Sequence, residues 1–324
     1  MKRLLVSLAA ASLCAVVAPS GSAQNSYPSK PVKILAGFPA GTSTDIVARI
    51  YANKLNQHFG QPFMVENRTG FAGNLAADAA AKEEPDGYTL LLGTIANAIS
   101  ASVYKKKLRH NFLNDFTGIA RVASAPNVLV VDPALGVSSV QGLIDYAKAR
   151  PGKLFFGSAG VGTAPHLSGE LFKQMTGIEY VHVPYKGNVQ GLGDLSEGRL
   201  SMIFAPAPTL GAFVKTGRVK ALAVTTAKRA SFLPDVPTMV ESGLPGFDTA
   251  IWYGFLAPKG TPQAIISSLA KVILEATDRE DVQKQLANSL AVPVPLGPTE
   301  FNRFIREDVE KWAKVVGSAK ITVD

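Results

Sequence analysis

The sequence predicts an α/β protein of two lobes with largely parallel strands and a cleft between them. Three observations carry that expectation. Short β-branched runs alternate with amphipathic stretches along the chain, as strand–helix–strand units do. The 324 residues exceed one ordinary domain of roughly 150. A strand, a small-residue loop and a helix also occur in that order twice, ending in Phe38-Pro-Ala-Gly-Thr-Ser-Thr-Asp45 and in Gly157-Ser-Ala-Gly-Val-Gly-Thr-Ala-Pro-His166. Each unit would aim a helix N-terminus from the carboxyl end of a strand, where open α/β sheets bind ligands.

The elements follow in order. Pro31 to Ala36 reads as the first strand and Asp45 to Phe59 as a helix, with Ile46, Ile50, Leu55 and Phe59 at helical spacing and Gly60 at its end. Phe63 to Val65 is a strand, Gly73 to Lys82 an Ala-rich helix, Pro85-Asp86-Gly87 a turn and Tyr88 to Leu92 a buried strand. The middle block repeats the theme. Strands lie at Asn127 to Val131, Leu154 to Phe156, Tyr180 to Val183, Met202 to Phe204 and Ala221 to Val224, with helices at Ser139 to Ala149, Pro165 to Met175 and Asn188 to Ser196. The tail is helical over Pro262 to Thr277, Arg279 to Asn288 and Thr299 to Val316.

Composition narrows the class. With 47% hydrophobic and 18% charged residues, the chain is neither disordered nor a coiled coil. Lys2 and Arg3, the apolar run Leu4 to Val17 and the small residues Ala18 to Ala23 have the layout of a secretory signal peptide over residues 1–23. Leu13 before Cys14 does not suit a lipoprotein site. Export removes that single cysteine, and with it any disulfide or thiolate chemistry. It also removes two of the basic residues behind the formal charge of +8. The expected location is the periplasm.

Chemistry concentrates in the loops. Gly41 lets backbone approach a ligand, and Ser43 or Thr44 can cap the following helix. Thr42 to Asp45 also fits a capping box with Asp in the acidic place; an anion cradle and a simple helix tie both stay open there. The second loop offers Gly157, Gly160 and Gly162, with Thr163 as cap and Pro165 in the first turn. A third candidate, Tyr185-Lys186-Gly187-Asn188, precedes its own short helix.

Enzyme signals are poor. Nucleophile-elbow, phosphate-loop and complete dinucleotide patterns are absent. A hydrolase using Ser158, His166 and Asp194 is the competing reading, though no carboxylate is placed to orient the imidazole. His166 and Glu170 share a helix face, but a zinc site needs a third ligand. Neither a metal nor a cofactor is expected. Lys105 to His110 is the one dense basic run, without interleaved aromatics, and export argues against nucleic acid.

Several segments resemble the extracytoplasmic receptors of tripartite tricarboxylate transporters, the Bug family. They are Phe38 to Arg49, Val65-Glu-Asn-Arg-Thr-Gly70, Pro85 to Leu90, Gly157 to Gly160 with Gly162 to Leu167, Val183 to Gly187, Pro234 to Thr238, Trp252-Tyr-Gly254, Ala257-Pro258 and Gly260-Thr-Pro262. The resemblance implies a type II periplasmic-binding fold with two crossover strands. Its first lobe would hold residues 24–122 and 229–324 and its second 123–228, with hinges near 122–127 and 225–228. It implies a monomer that delivers a small organic carboxylate to membrane permease subunits; sensing for a signalling partner is the alternative. Carried over residue by residue, the ligand site comprises Phe38, Pro39, Ala40, Gly41, Thr42, Ser43, Thr44 and Asp45, then Thr94 and Asn97. Ser158, Ala159, Gly160, Thr163 and His166, then Tyr185, Lys186, Gly187 and Ala205 complete it. Thr42 stands where the family usually has glycine and Ser201 where it often has Asp.

Overall fold

The computed structural model describes residues 27–318 and 321, except 186, 227 and 231. The signal-peptide expectation for residues 1–23 and the candidate Lys186 lie outside the described residues. The first block runs β1 (Val32–Ala36), α1 (Ser43–Phe59), β2 (Phe63–Asn67), α2 (Asn74–Ala80), β3 (Thr89–Thr94), α3 (Ile95–Val103) and β4 (Phe116–Ala125). The second runs β5 (Asn127–Val131), α4 (Val140–Lys148), β6 (Leu154–Ser158), α5 (Ala164–Thr176), β7 (Tyr180–Pro184), α6 (Asn188–Ser196), β8 (Met202–Pro206), α7 (Ala207–Lys215) and β9 (Lys220–Val224). The chain then returns through β10 (Ile251–Pro258), α8 (Gln263–Thr277), α9 (Glu280–Asn288), β11 (Val292–Leu296) and α10 (Pro298–Ser318).

These strands form two sheets, one per lobe: β11-β4-β10-β3-β1-β2 and β7-β6-β8-β5-β9. Strands β1 to β3 pair in parallel, as do β6 with β7 and β8, whereas β10 and β11 run antiparallel to their neighbours and β5 runs antiparallel to β8 and β9. The expected parallelism therefore holds only for the strands that feed cleft-facing helices. Strands β5 and β10 enter from the other lobe, at the ends where the parallel strands finish, and so must run the opposite way. Pro126 alone separates β4 in the first sheet from β5 in the second.

The second crossover is longer than the sequence suggests. Met239, Leu244 and Phe247 are buried in one core of the second sheet, and Phe232, Leu233 and Val236 pack on its other core. Residues 232–247 thus stay with the second lobe, beyond the expected boundary at 228, because their apolar side chains find cover there.

Each helix contributes an apolar stripe to a sheet. Val47, Tyr51 and Leu55 of α1, four residues apart, are fully covered in the first core, each worth about 1.5–3 kcal/mol by burial. The N–H of Gly60, at φ 66, closes that helix on the Asn56 carbonyl. Helix α3 has no polar stripe, and Ile95 to Ser100 are all buried. It packs with Trp312 and Val315 of α10 and with Ala164 and Leu167 of α5, an apolar seam that joins the lobes.

Candidate functional site

In the first loop, Gly41 sits at φ 79, a left-handed conformation that favours glycine, and Thr42 follows in extended conformation as the N-cap of α1. The Thr42 hydroxyl donates back to the Pro39 carbonyl at 2.7 Å and does not cap the helix. The Ile46 N–H is the first to find a helical partner, the Thr42 carbonyl at 2.9 Å, so the Ser43, Thr44 and Asp45 amides are the open donors of the helix end. Thr42 is at φ −76, backbone that any residue adopts, so the glycine usual in the family is not needed here.

Asp45 holds the loop. Its buried carboxylate accepts from the Gly41 N–H at 2.9 Å, from Arg49 Nε at 3.0 Å and from Asn67 Nδ2 at 3.0 Å. Asn67 also donates to the Phe38 carbonyl at 2.9 Å. Burial raises the carboxyl's pKa, but the hydrogen bonds from Arg49, Gly41 and Asn67 outweigh it and hold the group below its ordinary range. The capping-box expectation is corrected in detail, since the acceptor serves Gly41, one residue before the N-cap.

The second loop repeats this geometry. Gly162 is at φ 77, Thr163 is the N-cap of α5 and its hydroxyl donates to the Gly160 carbonyl at 2.7 Å. Here the Gly162 N–H is accepted by His166 Nδ1 at 3.2 Å. The His166 ring stacks on His182 at 4.2 Å between centroids. Burial, with the neighbouring imidazole, pushes the His166 pKa down to about 3, and burial pushes His182 down to about 4, so both rings are neutral near pH 7 and His166 can accept.

A third helix end arrives from β3. Thr94 caps α3, accepting from the Ala96 N–H at 3.2 Å, while Asn97 Oδ1 accepts from the Thr94 N–H at 3.0 Å. This helix was expected only as a turn.

The three ends meet on a cavity of about 360 Å³ between the lobes. Of the expected residues, Phe38, Gly41, Thr42, Ser43, Thr44, Thr94, Ala159 and Thr163 line it. The rest do not. Pro39 and Ala40 are solvent-exposed, and Asp45, Asn97 and His166 are buried braces one layer behind the wall. Ser158 and Gly160 bond to each other below the second loop. The Tyr185 hydroxyl donates to Asp194 at 2.7 Å, Gly187 precedes α6, and Ala205 is fully buried in a lobe core. Asn188, from the third candidate loop, also lines it, and lining residues that the sequence reading omitted include Ala72, Thr209, Ile251 and Tyr253. The Tyr253 hydroxyl donates to Ser43 Oγ at 2.8 Å, leaving the Ser43 hydrogen for a ligand. Tyr253 stands inside the Trp252-Tyr-Gly254 segment; the others carry no local signal. None of the described residues lining the cavity is charged.

The Ser158–His166–Asp194 arrangement is not assembled. Ser158 is fully buried and bonds His182 Nε2 at 2.7 Å, His166 is committed to Gly162, and Asp194 is held by Tyr185 and Arg199. Among the described residues, no group of three or more His, Cys, Asp or Glu is placed to hold a metal ion. Ser201 lies between strands, its hydroxyl accepting from the Phe155 N–H at 3.0 Å, and does not line the cavity.

Residues 47–321 match the family model described as a tripartite tricarboxylate transporter family receptor. The Bordetella pertussis protein BugT is 36% identical over 293 residues, covering 90% of each chain. Among solved structures, R. palustris Rpa4515 with adipate is 37% identical, with a TM-score of 0.81 over 92% of this chain and 100% of that one. MatC from Rhodopseudomonas palustris with bound malate is 29% identical, with a TM-score of 0.76 over 90% of this chain and 100% of that one.

Proposed function

The chain belongs to the tripartite tricarboxylate transporter receptor family, and on that premise we propose that it captures a small organic carboxylate between its lobes. Acting as a periplasmic monomer, it hands that ligand to the membrane permease subunits of such a transporter, with no bond made or broken. The observation that carries this reading is the convergence of the α1, α3 and α5 N-termini on one cavity without a charged side chain on its described wall. Helix ends bear partial positive charge, and the α1 end keeps the Ser43, Thr44 and Asp45 amides open, so they favour a carboxylate while a cation finds no counter-charge. The similar proteins crystallised with adipate and malate support the same ligand class. No described helix is long and apolar enough to cross a membrane, which fits a receptor working beside its permease.

A thermal-shift screen against mono-, di- and tricarboxylates, with neutral amides as controls, tests the reading. A ligand at 100 times its dissociation constant stabilises the fold by about 2.7 kcal/mol, a clear rise in melting temperature for carboxylates alone. Ser43→Ala should then weaken the ligand found, by about fivefold for one lost hydrogen bond. Equal shifts with amides, or none with any acid, would sink the proposal.

A further inference from the structure

A second cavity, about 620 Å³, borders the α1 N-terminus and shares Gly41 and Ser43 with the first. Its wall is of another kind. Ile46 of α1, Leu210 and Val214 of α7, Leu233 after β9 and Leu290 after α9 supply apolar surface from both lobes; Asn288 and Ser289 border it, and the exposed Lys215 is the one charged side chain among its described lining. Leu290 holds a left-handed φ of 52, unfavourable for a leucine, and packs on the core of the opposite lobe. This closes the chamber across the lobes with an apolar side chain.

Resting on the carboxylate reading above, we propose that this chamber receives the apolar body of the ligand, an acyl chain or aromatic ring whose carboxylate sits on the Ser43 end of α1. The reason is adjacency: a group held at Gly41 and Ser43 borders both spaces, and a wall that is mostly apolar favours an apolar group over a second polar one.

Calorimetric titration of the purified protein with butyrate, hexanoate and octanoate tests the assignment. Affinity should rise about fourfold per methylene, the transfer value of a buried CH₂. Val214→Trp, which fills the chamber away from the α1 amides, should abolish that gain while butyrate binds within about twofold of wild type. Leu233→Asn, a smaller change should the tryptophan variant not fold, should weaken octanoate about tenfold and spare butyrate. A flat series with butyrate still bound, or an undiminished gain in the folded variants, overturns the chamber and leaves the receptor reading standing. Failure of all three acids to bind overturns the chamber, and the receptor reading falls with it only if the di- and tricarboxylates of the thermal-shift screen also fail.

Discussion

Gly41 and Thr42, at φ 79 and φ −76, turn the chain into α1; Gly162 and Thr163, at φ 77 and φ −80, turn it into α5. In both loops the threonine hydroxyl bonds the carbonyl three residues back at 2.7 Å, and the glycine N–H is accepted by the third helical residue. The difference lies in that acceptor. In the first lobe it is the anion Asp45 with the cation Arg49 four residues on; in the second it is neutral His166 with Glu170 four residues on, 3.7 Å away. The loop shape demands an acceptor at that position and tolerates either charge state. In the first lobe Arg49 pairs the Asp45 charge, and in the second burial keeps the His166 acceptor neutral.

The largest expected effect comes from breaking the charged brace. Asp45→Ala leaves the Gly41 N–H unsatisfied and Arg49 without its buried partner, and should lower unfolding free energy by about 3 kcal/mol in urea titrations at pH 7. Asp45→Asn keeps an acceptor for Gly41 and should cost about 1 kcal/mol. Equal losses would mean that the ion pair, not the acceptor, shapes the first loop.

Next comes pH, where the walls should part. The folded pKa of His166 lies below its unfolded value of 6.5, so the neutral ring's contribution is fully present above pH 6.5 and is lost as pH falls towards 3. At pH 5 the loss from this group alone should be roughly 2 kcal/mol. Asp45, also depressed, contributes with the same sign, but only once pH falls below about 4. Melting temperature measured between pH 8 and pH 4 should therefore fall through the 6.5-to-5 window, and His166→Gln should lessen that fall, leaving the share of His182, whose pKa is also depressed, to about 4. A wild-type curve that is level down to pH 5 would remove the imidazole pair from the account.

The smallest effect is the most direct check of equivalence. Thr42→Ala and Thr163→Ala each remove a hydroxyl bond to the carbonyl three residues back at 2.7 Å, and Thr163→Ala also removes the weak 3.5 Å acceptance from the His166 N–H; each should cost about 1 kcal/mol. A loss confined to one lobe would show that the likeness is geometric and not energetic.

The loops were legible because they are local. Glycine at the left-handed position, threonine at the cap and an acceptor three residues later are set within a few consecutive residues, and so the repeated unit announced itself. Helix α3 escaped notice because burial on all sides erases the polar stripe by which a helix is recognised. Strand β4 did so because Gly118, Ala120, Ala123, Ser124 and Ala125 carry little β-branched character.

By itself, then, the sequence determined the two α/β lobes and the two glycine–threonine loops that open α1 and α5, all of which depend on neighbours along the chain. Tertiary structure alone decided that β5 and β10 run backwards, that residues 232–247 stay with the second lobe, and that Ser158 meets His182 and not His166. It also decided which side chains reach the cavity, since Tyr253 and Thr44 converge there from segments some two hundred residues apart. Caps obey short-range hydrogen bonding, whereas a cavity is whatever the packing of distant elements leaves open.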